Sequence, residues 1–176
     1  MESTIKRNLV IREAEIKDAE ALARLRVKTD GETEYMDREE GEGYLSPKDF
    51  EALIIKDRKE LTNLCLVACD KGKVVGYCRC EGNELRRLSH QVTFGIAILK
   101  EYWGYGIGRK MLEMIIAWSQ KQEIHKINLS VLASNKRAIR LYEAYGFQIE
   151  GCLKNDKRLS DGEFHDTVLM ARFLNK

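Results

Sequence analysis

The sequence predicts an α/β fold: a mixed, mostly antiparallel twisted sheet flanked by helices. Three observations predict it. Short apolar segments with a two-residue period are interleaved with stretches of helical period. Two of the short segments flank Asp70-Lys71-Gly72-Lys73, a turn that makes a hairpin and so an antiparallel pair. In the second half strands and helices alternate, and a helix between strands supplies the crossover that a parallel pair needs.

Leu9–Arg12 reads as the first strand. Asp18 opens a helical stretch in which Ala19, Leu22, Ala23 and Leu25 share a face. Asp30–Gly43 follows as a strongly acidic, loop-like segment. Ser46-Pro47 starts the next helix, with serine as cap, proline at the first helical position and Asp49 near the amide ends. Phe50, Leu53 and Ile54 form its buried side. Leu64–Ala68 and Val74–Cys80 are the hairpin strands. Val92–Leu99 is mostly apolar, as a central strand is. Gly104–Gly108 is a glycine loop, and the helix after it carries Ile107, Met111, Met114, Ile115 and Trp118 on one face. Ile127–Leu132 alternates as a strand, and Asn135–Tyr145 is a short helix ended by Gly146. Phe147–Leu153 and Val168–Phe173 close the chain as strands.

At 176 residues, with no proline-rich or repetitive stretch to mark a linker, the expectation is a single domain over residues 1–176. Hydrophobic residues at 44% and charged residues at 33% describe a globular chain. A net charge of +2, from 30 basic and 28 acidic side chains, gives no drive toward nucleic acid or an anionic membrane. The first residues lack the basic-then-apolar pattern of a secretory signal, and no run approaches the roughly 18 apolar residues of a membrane helix. The expected location is the cytoplasm. Cys65, Cys69, Cys78, Cys80 and Cys152 are odd in number and lack zinc-site spacing. They read as small buried residues in a reducing compartment, and no metal is expected.

Trp103-Gly104-Tyr105-Gly106-Ile107-Gly108-Arg109 joins the central strand to an amphipathic helix, and its chemistry points to phosphate. The first amides of a helix have no internal partner, and that end carries about half a positive charge. Glycine lets a diphosphate approach the backbone closely. Arg109 and Lys110 add cations. No Gly-Lys-Ser/Thr closes the loop, so it is not a P-loop. Its Gly-x-Gly-x-Gly spacing, with no acidic partner beyond the next strand, separates it from a dinucleotide-binding oxidoreductase. On the loop alone, a tight strand-to-helix turn without a ligand is the alternative.

Three stretches resemble one family. Asn128-Leu-Ser-Val-Leu-Ala-Ser-Asn135-Lys-Arg-Ala138-Ile-Arg-Leu-Tyr142-Glu-Ala-Tyr-Gly146-Phe147 is similar to the second conserved block of the GNAT superfamily of N-acetyltransferases. Ile98-Leu-Lys-Glu-Tyr-Trp103-Gly-Tyr-Gly106-Ile-Gly108 resembles its acetyl-CoA block. Glu150-Gly151, Gly162-Glu-Phe-His-Asp166 and Met170 resemble bacterial members that acetylate amino acids, small amines or protein N-termini. The resemblance covers Val92 to Leu174; residues 9 to 82 match in element order only.

The resemblance implies the GNAT fold and acetyl transfer from acetyl-CoA to a primary amine in a ternary complex. Two strands would splay near Ile98, and the pantetheine arm would pair with backbone at Ile96 and Ile98. Trp103 and Arg109, with the amides of Gly104, Tyr105, Gly106, Ile107 and Gly108, would hold the cofactor. An amide near Ile98 would stabilise the oxyanion. Asn135 would contact the CoA arm, and Tyr142 would protonate the leaving thiolate. Each role has a plainer counterpart: a helix N-cap for Asn135 and a packed core tyrosine for Tyr142. The partner is a small-molecule amine or a peptide N-terminus, and a homodimer is expected. A non-catalytic acyl-CoA-binding regulatory domain is the alternative.

The sequence departs from the family's pattern in two places. Trp103 stands where many members have Arg or Gln, and tryptophan cannot give a charge-assisted bond to phosphate. The start of the central strand, Ser89-His90-Gln91-Val92-Thr93, lacks the carboxylate base that some members carry. His90, Glu81 or a water chain are the alternatives for that base. The acidic run after Asp30, with Glu32 and Glu34, would gather a cationic amine; a solvated loop is the alternative.

Overall fold

The computed structural model describes residues 8–174. Seven strands form one sheet in the order β1-β2-β3-β4-β5-β7-β6. They are β1 (Leu9–Glu13), β2 (Leu64–Asp70), β3 (Lys73–Gly82), β4 (Gln91–Ile98), β5 (Lys126–Leu132), β6 (Gln148–Arg158) and β7 (Phe164–Phe173). The α-helices are α1 (Ala19–Glu32), α2 (Pro47–Lys59), α3 (Ile107–Lys121) and α4 (Lys136–Ala144). The element order expected from the sequence holds throughout.

Boundaries differ where polar residues extend an element. Helix α1 continues to Glu32, three residues into the segment expected as an acidic loop from Asp30, where Asp30 turns inward and forms a two-bonded ion pair with Arg38 at 3.0 and 3.1 Å. Asp18 lies in a short 3-10 turn, Ile16–Asp18, just before the helix. Strand β6 runs on to Arg158 and β7 starts at Phe164, a polar extension held by backbone pairing and by polar side-chain bonds such as Lys154–Asp166. Period-two patterning cannot register such a hairpin, because both its faces meet solvent.

All neighbouring strands are antiparallel except β4 and β5. Odd-numbered residues of β3 and β4 face α1 and α2. Tyr77 meets Phe50 of α2 edge to face at 6.1 Å, and Arg79 bonds Asp57 of α2 at 2.7 and 2.9 Å. Even-numbered residues face α3 and α4, where Phe94 meets Tyr142 of α4 at 6.3 Å. One core lies on each face: Leu22, Ile54 and Val67 on the first, Leu66, Met111, Ile115, Ile127 and Met170 on the second, all almost wholly buried. Each such side chain stabilises the fold by about 1.5–3 kcal/mol on burial.

Four of the five cysteines are buried, Cys152 is exposed and all are unpaired. Among the described residues no cluster could hold a metal ion, and no helix is long and apolar enough to cross a membrane.

Candidate active site

The site begins with a break in the sheet. Strands β4 and β5 pair only at Gln91↔Lys126, Val92↔Ile127 and Thr93↔Asn128. Beyond that point β5 stays with β7, from Leu129↔Met170 to Leu132↔Thr167, while β4 stays with β3 up to Gly76↔Ile98. A V-shaped fork therefore opens at Phe94, earlier than the expected splay near Ile98. Leu99 donates its amide to the Val75 carbonyl at 3.0 Å, and Lys126 donates to His90 at 3.2 Å. Strand alternation then turns the odd-numbered backbone groups of β4 toward β3 and those of Phe94, Ile96 and Ile98 into the fork. Ile96 and Ile98, expected to pair with the pantetheine arm, thus lie at the open edge of β4.

The glycine loop closes the mouth of the fork. Gly104 and Gly106 have φ of +88° and +80°, a region that L-residues rarely adopt. A Cβ on Gly106 would meet nothing within 4 Å, so the concavity there is open. Gly106 caps α3 without a side chain. The first return bond of the helix is Lys110 N–H to the Gly106 carbonyl at 3.0 Å, so the amides of Ile107, Gly108 and Arg109 precede the helical ladder. A Cβ on Gly108 would stand 3.7 Å from the Ile98 side chain and 3.9 Å from Ile96 and Leu141, which docks the helix start against the fork and α4. Open backbone with orphan donors suits a diphosphate.

Two residues near the loop behave differently from expectation. The Trp103 amide is already used, donating to Lys100 at 3.1 Å, and its indole N–H donates to the Ile98 carbonyl at 2.8 Å. Trp103 is therefore a strut between loop and fork, and its contribution to a phosphate site through its own N–H groups falls away. A cation from another element stands near the loop. Arg137, in the first turn of α4, points a guanidinium nitrogen to within 3.8 Å of where a Gly104 Cβ would lie. It forms no ion pair among the described residues. Sequence reasoning missed it, because an arginine in a helical first turn carries no spacing signal. Arg109 is exposed at the start of α3, and Tyr105 is about half-exposed in the loop.

Tyr142 sits at the apex of the fork. It is 8% exposed, with its ring on Phe94, the first residue past the β4–β5 ladder, and 5.6 Å from Phe147. Burial, with the Cys78 thiol nearby, pushes its hydroxyl up to about 12. It is protonated at neutral pH and has no hydrogen-bond partner among the described residues. Asn135 caps α4, its side-chain oxygen accepting the Ala138 amide at 3.2 Å. The cap uses the oxygen, so the Nδ2 donor takes no part in it.

The four expected acceptor-side residues separate. Glu32 accepts the Lys100 amide at 2.7 Å, and Glu34 accepts the Ser160 amide at 3.1 Å and its hydroxyl as well. Both carboxylates are hydrogen-bonded within the fold, Glu34 while exposed to solvent. Glu81 lies opposite Thr93, beside the apex on the α1–α2 face, and is bonded to Arg79 at 3.0 Å. His90 lies beyond the closed end of the fork, 6.0 Å from His125 between ring centres. At about 3.3 Å per residue, the length of β4 separates it from Ile98. On the α1–α2 face of β4, a Cβ on Gly95 would meet nothing within 4 Å, so open space borders the apex there.

This geometry can be compared with known proteins. The family model of the acetyltransferase (GNAT) family matches residues 28–147. The chain is 37% identical over 111 residues to an L-amino acid N-acetyltransferase of Escherichia coli, covering 61% of this chain and 66% of that one. It is 36% identical over 84 residues to the ribosomal protein bS18-alanine N-acetyltransferase of Escherichia coli, covering 48% and 56%. The chain thus matches less than two thirds of the length of each of these relatives. The structure of a GNAT-family acetyltransferase from Streptococcus pneumoniae superposes with a TM-score of 0.91 at 30% identity, over 95% of this chain and 100% of that one. A forked sheet with a glycine loop at its mouth, matched along most of its length, makes this chain a member of the acetyltransferase (GNAT) family.

Proposed function

We propose that the protein is an N-acetyltransferase that moves the acetyl group of acetyl-CoA to a primary amine. The observation that carries the reading is the protonated, unpartnered Tyr142 hydroxyl at the apex of a fork whose mouth holds the orphan amides of the glycine loop. Acetyl-CoA supplies an activated thioester; the rest falls to this chain. The amides of Gly104, Tyr105, Gly106, Ile107 and Gly108 bind the diphosphate, with Arg109 and Arg137 adding charge. Inward backbone groups of Ile96 and Ile98 hold the pantetheine arm, and an amide of the same strand takes up the charge developing on the thioester oxygen. Asn135 reaches the arm with its free amide nitrogen. The amine attacks from the α1–α2 face, over Gly95. Its nitrogen bonds the acetyl carbon, the carbon–sulfur bond breaks, and Tyr142 gives its proton to the sulfur. Its high pKa suits the task only because proton transfer accompanies cleavage toward a thiol of pKa about 8.5. Of the two side chains expected to relieve the amine of its proton, Glu81 stands nearer the apex.

The acceptor is a small-molecule amine or a peptide N-terminus, and the enzyme is read as a cytoplasmic homodimer, which sedimentation would check. A non-catalytic acyl-CoA-binding domain would have no use for the phenol. Phenylalanine would fill the space between Phe94 and Phe147 equally well. Tyr142→Phe should lower thiol release by about 100-fold, the low end for a lost general acid, while calorimetry finds acetyl-CoA affinity unchanged. Wild-type turnover in that variant removes Tyr142 from the mechanism. Failure of the unaltered protein to bind acetyl-CoA removes the whole reading.

A further inference from the structure

We infer that residues 32–37 form a strap across the mouth of the fork that admits a small free amine and excludes the N-terminus of a folded protein. The inference rests on the acetyl-transfer reading and names the acceptor class within it.

The strap is defined by contacts that alternate between the two lips. One lip is the end of β4 and the turn after it; the other is the far end of the β6–β7 hairpin, carried on the β5 side. Glu32 accepts the Lys100 amide at 2.7 Å on the first lip. Glu34 accepts from the amide and hydroxyl of Ser160 on the second. Tyr35 returns to the first, its ring stacked on Trp103 with centroids 6.4 Å apart and planes inclined by 23°. Asp37 crosses again to an ion pair with Lys157. Four side chains within six residues thus stitch the lips together.

The strap is also held from behind. Asp30 is 5% exposed and carries Arg38 through two bonds, and Arg26 donates to the Gly43 carbonyl at 2.5 Å. The limb that returns toward α2 is therefore tied to α1. The strap leaves α1 at Glu32 and the chain rejoins α2 at Pro47, so it belongs to the helical face toward which a Gly95 Cβ would point. A free amine no larger than an amino acid can pass under a bridge of this kind. An N-terminus attached to a folded domain must enter as several extended residues, and the bridge blocks their path. Tyr35 and Lys157 are the specificity-determining residues, because they end the two ties that pull in opposite directions.

The test compares two classes of acceptor by their kcat/KM for thiol release: a panel of free amino acids and diamines, and a hexapeptide with an N-terminal alanine. The wild type should favour its best small amine over the peptide by about 100-fold or more, the scale on which a shaped site rejects a misfit. In a Tyr35→Ala, Lys157→Ala double variant that ratio should shrink at least about tenfold. Acetyl-CoA affinity should hold, because Trp103 keeps its bond to Ile98. Lys157→Gln alone, with an unchanged melting temperature, should move the ratio in the same direction and so guards against a misfolded double variant. A wild-type preference for the peptide, or a ratio that neither variant moves, overturns the inference and leaves acetyl transfer standing. Absence of transfer to either class overturns both.

Discussion

At φ +80°, Gly106 holds a backbone that disfavours an L-residue by about 1–2 kcal/mol. The neighbouring space is open, so strain alone decides what a substitution does. Gly106→Ala should lower the melting temperature by roughly 2–8 °C for a domain of this size. It should also weaken acetyl-CoA binding, since the same turn aims the loop amides; melts and calorimetry check the two effects. A melting temperature equal to wild type means that the turn relaxes and the aim is not fixed by this residue. The candidate site was partly legible at this scale. Gly104 and Gly106 stand out by type and spacing, Asn135 and Tyr142 through the family resemblance. Arg137 and Tyr35 do not: each acts across the fold on a residue distant in sequence, and no local pattern records such a contact. Trp103 was noticed as a departure, yet its work, an indole bond to the Ile98 carbonyl, depends on a turn that brings residues five apart face to face.

At the scale of elements, the junction of β1 and α1 shows why a charged run need not be loop. Asp18 is 4% exposed. Burial raises its carboxyl pKa, but the Arg12 guanidinium, at 2.7 and 2.9 Å, and the Glu15 amide, at 2.8 Å, together hold it below its ordinary value. A carboxyl depressed in the folded state adds stability above its unfolded pKa, and loses it as pH falls through the folded one. Compared by urea unfolding, wild type should exceed Asp18→Asn by a constant margin near neutral pH. The margin should narrow below about pH 4, where unfolded aspartate begins to protonate. A margin that stays constant down to pH 3 would mean that Arg12 is not what holds the carboxylate. The same physics ran against the sequence at the end of α1. There acidic composition suggested a loop from Asp30, and a half-buried Asp30–Arg38 pair goes with a helix three residues longer. Apolar periodicity, with caps and turn residues, located the elements that bury a face, because it reports burial. It gave the polar end of the β6–β7 hairpin no signal, because pairing there buries little.

For the whole molecule, the consequence of the topology is that one strand serves two masters. Strand β5 leaves β4 after Asn128 and completes its ladder with β7, so half of β4 lies at a sheet edge inside the protein. Such edges invite a strand-like partner. The alternation of β4 makes the partner's footprint specific to residue parity. Gly95 and Ala97 face β3 in register with Arg79 and Tyr77, whereas Ile96 and Ile98 face the fork. In the unliganded protein the amides of Ile96 and Ile98 should exchange with solvent deuterium faster than those of Gly95 and Ala97, despite a shared strand. At 100 times its Kd, acetyl-CoA should stabilise the fold by about 2.7 kcal/mol and slow Ile96 and Ile98 selectively. Protection that rises equally along β4 would mean that the ligand tightens the whole sheet without pairing in the fork. Protection confined to residues 104–110 would mean that only the diphosphate is held, and the thioester would then have no fixed path to Tyr142.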